Sequence, residues 1–132
     1  MNGPTTINVT LAGDTAIAVP KNTTVYTDVI DLSGLENFVL SYQAACTGSP
    51  DFDIDIEQAT EPPATENVSD GNYVLPEGLS TIADGITTKT VHLKSLSPVA
   101  VRYIRFKITE NTNSVTDLVM TMKLSIMNKF AN

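Results

Sequence analysis

Strict alternation of apolar and acidic residues from Asp51 to Glu57 is the feature that most constrains the fold of this chain. The segment reads DFDIDIE, so an extended backbone places Phe52, Ile54 and Ile56 on one face and four carboxylates on the other. A helix would spread the same residues around its axis. The alternation therefore predicts a strand with one buried apolar face and one acidic face.

Similar period-two patterns recur along most of the chain. Eighteen threonines, together with valine and isoleucine, supply β-branched residues that favour strands over helices. Short segments rich in Gly, Pro, Asn or Asp separate the patterned stretches, which are residues 6–11, 16–19, 24–30, 37–44, 52–59, 89–93, 101–109 and 117–127. The sequence thus predicts an all-β fold, a single-domain antiparallel β-sandwich that is jelly-roll-like, with about seven or eight strands.

The chain of 132 residues is long enough to bury one core. We expect residues 1–5 to form a flexible N-terminal arm and residues 6–132 to form the single β-sandwich domain. From about residue 60 to 88 the alternation fails, and prolines, glycines and acids predict one long loop. Loops of this length often bind partners, although Tyr73–Leu75 alternatively forms a short edge strand within it.

Charge is divided unevenly along the chain. Residues 1–88 contain thirteen acids and one lysine, whereas residues 89–132 contain seven basic residues and two acids. The net charge of −7 disfavours binding to nucleic acid or to an anionic membrane, because both would repel the chain. We therefore expect neither partner.

The basic residues of the second part complement the acidic strand of the first. In the segment 101–108, Arg105 and Lys107 lie on the face opposite the apolar residues. If the two strands are neighbours, Asp53, Asp55 and Glu57 face these two cations and form structural ion pairs across the ladder. The alternative is a charged outer face that engages another subunit or a partner.

The same carboxylates are weak candidates for a metal site. Asp51, Asp53, Asp55 and Glu57 lie two residues apart, a spacing of about 7 Å along a strand. A calcium loop, however, requires glycine at its sixth position and an acid at its twelfth, where this segment has Ile56 and Pro62. We therefore expect no metal and no cofactor.

Catalytic motifs are absent from the sequence. The one histidine, His92, belongs to no motif that ties it to a nucleophile, and alternation places it opposite Val91 and Leu93, which predicts that it points to solvent. Phosphate-binding loops, zinc spacings and dinucleotide fingerprints do not occur, and no tryptophan is present to stack against a sugar. We expect that the chain is not an enzyme.

Two segments carry a resemblance to a known class of proteins. Residues 29–40, VIDLSGLENFVL, and residues 98–109, PVAVRYIRFKIT, resemble small β-sandwich virion proteins of tailed phages, a class that includes head decoration, or cement, proteins. The resemblance implies a non-enzymatic role on the virion surface, with a homotrimer bound to the major capsid protein. The chain has no signal peptide or long apolar run, so we expect synthesis in the bacterial host cytoplasm.

Two regions are predicted to contact the partner. One is the N-terminal arm, and the other is the long loop, whose acids remain unmatched if the strand charges pair with each other. The predicted partner-binding residues are Met1, Asn2, Pro4, Thr5, Glu61, Glu66, Asp70, Tyr73, Glu77 and Asp84. Two alternatives stay open: a tail, baseplate or fibre module that contacts a receptor, and a calcium- or carbohydrate-binding module.

Overall fold

Two antiparallel sheets contain the regular structure of the chain. The computed structural model describes residues 4–32, 36–75, 81–99, 102–112 and 115–127. Within these residues, the ten strands are β1 (Pro4–Asn8), β2 (Ile17–Val19), β3 (Thr24–Tyr26), β4 (Ile30–Asp31), β5 (Glu36–Ala45), β6 (Phe52–Ala59), β7 (Ala83–Ile86), β8 (His92–Val99), β9 (Tyr103–Glu110) and β10 (Leu118–Met127). No helix in this part of the chain is long and apolar enough to cross a membrane.

The first sheet has the order β1-β10-β5-β8, with β2 also paired to β10, and the second has the order β3-β9-β6-β7, with β4 also paired to β9. β1 and β2 therefore form one interrupted strand beside β10. In the same way, β3 and β4 form one interrupted strand beside β9. Counted in this way, eight strands form sheets of order 1-8-3-6 and 2-7-4-5. Apart from the β6–β7 hairpin, each connection passes from one sheet to the other.

The core lies between the two sheets and is built by the alternation seen in the sequence. Phe52, Ile54 and Ile56 of β6 are fully buried, and so are Ile104 and Phe106 of the neighbouring strand β9. The opposing rows of the first sheet supply further buried side chains, namely Phe38, Leu40, Tyr42, Ala44, Leu118, Met120, Met122 and Leu124. The predicted all-β antiparallel sandwich is thereby confirmed.

Several element boundaries differ from the sequence prediction. Strand β7 lies inside the predicted loop 60–88. The sequence did not predict it because its residues do not alternate, and its pairing with β6 is irregular. Within the remaining loop, Val74 forms an isolated bridge with Gln58, and the described residues contain no edge strand over Tyr73–Leu75.

The N-terminal segment also differs from expectation. Strand β1 begins at Pro4, and the backbones of Pro4 and Thr5 pair with Met127 and Ile126 of β10 instead of forming a free arm. Pairing along one side of β10 fixes their backbone. Met1 and Asn2 lie outside the described residues.

The predicted orientation of His92 is wrong. His92 is half-buried and its ring stacks on Tyr42, with centroids 5.1 Å apart and an interplanar angle of 17°. Val91 and Leu93 instead point outward and are 57% and 71% exposed. Alternation does place His92 opposite Val91 and Leu93, but hydrophobicity does not identify which face of β8 is buried. β8 is an edge strand, and its inner row borders the buried ring of Tyr42.

Thr27 joins the interrupted strand β3–β4 to β9 with a side-chain hydrogen bond. Its N–H donates to the Phe106 carbonyl oxygen at 2.9 Å, and its Oγ1 accepts from the Phe106 N–H at 2.8 Å. Thr27 is fully buried, so water cannot replace its hydroxyl. The side chain therefore continues the ladder where the backbone strand is broken.

We predict that Thr27→Val lowers the free energy of unfolding by about 1–3 kcal/mol, because it leaves the buried Phe106 N–H without an acceptor at nearly constant volume. Urea unfolding monitored by circular dichroism measures the change. Thr24→Val is the matched control, since its hydroxyl meets Thr109 Oγ1 at an exposed position. Equal stability of the two variants would contradict this role for Thr27.

Candidate interaction surface

The segment 60–75, which we call the loop platform, lies against the outer face of the second sheet. Two contacts hold it there: the backbone bridge from Val74 to Gln58 of β6, and a hydrogen bond from Arg105 of β9 to the Val68 carbonyl. Within the segment, the Tyr73 hydroxyl donates to the Glu61 carbonyl at 2.9 Å and so joins its two ends. The loop platform is therefore an ordered part of the sandwich.

Arg105 is the centre of this attachment. It belongs to the outward row of β9, yet it is fully buried. Its Nε donates to Glu57 Oε1 at 2.9 Å and its Nη1 donates to the Val68 carbonyl at 2.8 Å. The loop platform thus covers the outward row at Arg105, and a cation that alternation assigns to solvent becomes an internal group.

Two tyrosine rings enclose the same guanidinium. The Tyr26 ring of β3 lies 4.6 Å from the guanidinium carbon, and the Tyr73 ring of the loop platform lies 4.7 Å from it. Aromatic faces attract a cation more strongly when water is excluded, as it is here. Arg105 therefore contacts the platform through the Val68 carbonyl and the Tyr73 ring, while its ion pair with Glu57 and the Tyr26 ring hold it to the sheet.

Tyr73 is itself almost completely buried, with 3% of its surface exposed. Burial raises the pKa of its phenol, and nearby acids act in the same direction against the opposing effect of Arg105. The phenol consequently stays protonated at neutral pH and keeps its donor for the Glu61 carbonyl. Tyr73, which the sequence predicts to bind a partner, is thus a buried side chain that stabilises the loop platform.

A second attachment joins the middle of the platform to the N-terminal strands. Asn67 adopts a left-handed backbone conformation with φ of 60°, which asparagine tolerates better than most residues. Its Nδ2 donates to the Tyr26 carbonyl at 3.0 Å and to Asp28 Oδ1 at 2.8 Å. Asn67 thereby connects the loop to the segment that leaves β3.

Asp28 gathers four donors from two distant segments. Besides Asn67, its carboxylate accepts from the Thr10 hydroxyl at 2.7 Å and from the Ala12 and Gly13 N–H groups, each at 2.9 Å. Partial burial raises the pKa of Asp28, but the hydrogen bonds outweigh it and the pKa lies below its ordinary value of 3.8. The ionised carboxylate therefore ties the turn after β1 to the loop platform.

The outer side of the platform is both apolar and acidic. Val68, Val74 and Leu75 are 45%, 55% and 44% exposed, and they are three of the five exposed large hydrophobic side chains in the described residues. Glu61 and Glu66 are exposed on the same segment, which contains no Lys or Arg. Because the loop is anchored, these side chains form a preorganised surface that fits a basic partner with apolar contacts.

The other predicted loop residues are distributed differently. Asp70 is half-buried, and its Oδ1 accepts from the Asn72 N–H at 2.9 Å, so it shapes a turn within the platform. Asp84 is exposed on β7 at the edge of the second sheet. Glu77 lies outside the described residues. Pro4 and Thr5 belong to the first sheet, so the structure does not bring them together with the loop acids.

The two strands predicted to exchange ion pairs are neighbours, and one of the predicted pairs forms within the described residues. Strands β6 and β9 place Asp55 opposite Lys107 and Glu57 opposite Arg105, and the second of these pairs is an ion pair of 2.9 Å. Asp53 lies opposite Thr109 and accepts from the Gly85 N–H at 2.7 Å. The acidic row is therefore used for several kinds of contact.

The weak metal candidates do not converge on one point. Asp51 Oδ1 accepts from Asn111 Nδ2 at 3.1 Å, whereas Asp53 and Glu57 contact β7 and β9. Oδ1 of Asp55 is buried without a hydrogen-bond partner among the described residues. In this part of the chain, no group of three or more ligating side chains could hold a metal ion.

Sequence reasoning missed most of the anchoring residues. Tyr26, Asp28 and Asn67 carry no local signal for their roles, because their partners are separated from them by tens of residues. Alternation places Arg105 on the outer face of its strand. The one sequence feature that could have indicated its burial is the unusually long loop, which is able to cover that face.

Comparison with known proteins provides no relative to guide the assignment. No family model matches the chain, and no curated protein is significantly similar to it.

We predict that Arg105→Met detaches the loop platform. Removing one partner of a buried ion pair typically costs about 3–5 kcal/mol of unfolding free energy, because the remaining charge is left buried. Urea unfolding should show this loss, and hydrogen exchange should increase selectively at residues 61–75. Arg102→Met is the control, since Arg102 forms an exposed ion pair with Asp31 at 2.9 Å and should change neither measurement much. Unchanged exchange in the platform would contradict the anchoring role.

We also predict a pH-dependent effect of Asp28→Asn. A lowered pKa in the folded state means that ionised Asp28 stabilises the fold fully above the unfolded pKa, near 3.8, and that this contribution is lost as pH falls through the folded pKa. The stability difference between wild type and variant should therefore be largest near neutral pH and shrink below about pH 4. Urea titrations over this range test it, with Asp84→Asn as an exposed control. A difference that stays constant down to acid pH would refute the linkage.

Proposed function

We propose that this chain is a non-enzymatic structural protein of a tailed-phage virion, which binds the assembled head as a decoration protein. In this proposal the loop platform contacts the major capsid protein on the virion surface. The chain acts by covering and stabilising the shell, and requires no cofactor.

Two features support a virion structural role. The segments 29–40 and 98–109 resemble phage β-sandwich virion proteins. In addition, the strand orders 1-8-3-6 and 2-7-4-5 agree with a jelly roll, in which two Greek keys form two facing sheets. Jelly rolls occur widely in capsid proteins, although they also serve other functions.

The observation that carries the binding role is the anchored, exposed surface of the loop platform. A flexible loop would lose conformational freedom on binding, whereas Arg105, Tyr73 and Asn67 hold this one in place beforehand. Its exposed valines and leucine offer apolar contacts at the centre of an interface. Glu61 and Glu66 offer charges that attract a basic surface and accelerate association.

We predict that the purified protein binds undecorated heads of the phage that encodes it. Glu61→Gln and Glu66→Gln should each slow association about threefold to tenfold at low salt, with a smaller effect at high salt, because they weaken electrostatic attraction. Cosedimentation and stopped-flow binding provide the measurements. Asp14→Asn removes the same charge from an exposed turn outside the platform and is the matched control.

A second variant tests the apolar part of the surface. Val74→Ser combined with Leu75→Ser should accelerate dissociation from heads without changing the salt dependence of association, because it removes contact area and no charge. Failure of the wild-type protein to bind heads would refute the proposal. Binding to tails or to host cells instead would favour the tail or fibre alternative.

A further inference from the structure

The outer face of the first sheet differs sharply from that of the second. The outward rows of β1, β2, β5, β8 and β10, with Val91 just before β8, present fourteen described side chains, and only Lys123 among them is charged. The others are mainly Ser, Thr, Val and Ala. These rows therefore contain no described carboxylate in a chain with fifteen acids. The exposed Asp117 lies at the position just before β10, where its carboxylate accepts hydrogen bonds from Thr47.

No described segment covers this face. Thr121 and Gln43, which pair on the two central strands, are exposed, and Ser41 is half-exposed. At its edge, Leu93 and Val91 have the highest exposures among the exposed large hydrophobic side chains. The opposite side of the sandwich carries the loop platform, so a partner on this face would leave the platform accessible.

We propose that this face binds the same face of a second copy of the chain. Each copy has a net charge of −7, so two copies repel one another through most orientations. Within the described rows of the first-sheet face, two copies can approach without apposing carboxylates, and Asp117 lies at the rim, one position before β10. Its small side chains permit the close, aligned packing of two sheets, and the exposed Val91 and Leu93 would lose water on contact.

The size of the face agrees with a reversible dimer. The face is four strands wide, with a spacing of about 4.8 Å, and its long strands have about nine residues at about 3.3 Å each. Its area is therefore roughly 600 Å². Two such faces bury roughly 1,200 Å², which is the lower end of the range for specific interfaces. Contact between identical faces produces two-fold symmetry, so the expected species is a dimer and not the trimer that the phage resemblance implies.

The test is the oligomeric state of the purified protein, measured by sedimentation velocity over a wide concentration range. Wild type should shift with concentration from the chain mass of 14.2 kDa to about twice that value. Thr121→Glu places a carboxylate at the centre of the face of each copy and should weaken the dimer at least tenfold. Thr15→Glu adds the same charge on an exposed turn and should leave the dimer unchanged.

Lys123→Glu provides a second disruptive variant if Thr121→Glu does not fold, as judged by circular dichroism. A monomer at all concentrations, a trimer, or a dimer that neither disruptive variant weakens would overturn the inference. A monomer whose head binding is abolished by Thr121→Glu would assign the face to the shell instead. Self-association is measured without heads, so its failure and the failure of head binding are separate results.

Discussion

The buried guanidinium of Arg105 is the interaction on which the outer architecture of the second sheet depends. It neutralises Glu57, holds the Val68 carbonyl and contacts Tyr26 and Tyr73, and so it connects strands β3, β6 and β9 with the loop platform. An isolated arginine in this position would be costly to bury. Its partners come from three segments, β3, β6 and the loop platform, and therefore the cation can be buried only when all of them are in place.

This arrangement explains the uneven distribution of charge along the sequence. Acids of β6 and bases of β9 meet in one sheet, where Glu57 and Arg105 form an internal ion pair, although Arg105 Nη2 is buried without a hydrogen-bond partner among the described residues. The carboxylates left at the surface lie partly on the loop platform that covers this sheet. The described outward rows of the first sheet carry almost no charge. The two outer faces of the sandwich therefore differ in chemistry.

The sequence predicted the elements whose residues alternate and failed where contacts are distant. The pattern from Asp51 to Glu57 identified both the strand and its buried face, and complementary charges indicated its neighbour correctly. His92 was assigned to the wrong face because periodicity defines two faces without stating which one is covered. The anchoring of Asn67 to Asp28 could not be predicted, since it depends on how three loops meet after the sandwich has formed.

The position of β10 has a consequence for the order in which the molecule can be made. This strand lies between β5 on one side and β1 and β2 on the other, yet it is the last strand of the described chain. Until it is synthesised, β1 and β2 have no ladder partner, and β5 lacks one of its two neighbours. The first sheet must therefore close after translation of β10, and an incomplete chain on the ribosome exposes strand edges that the finished protein pairs.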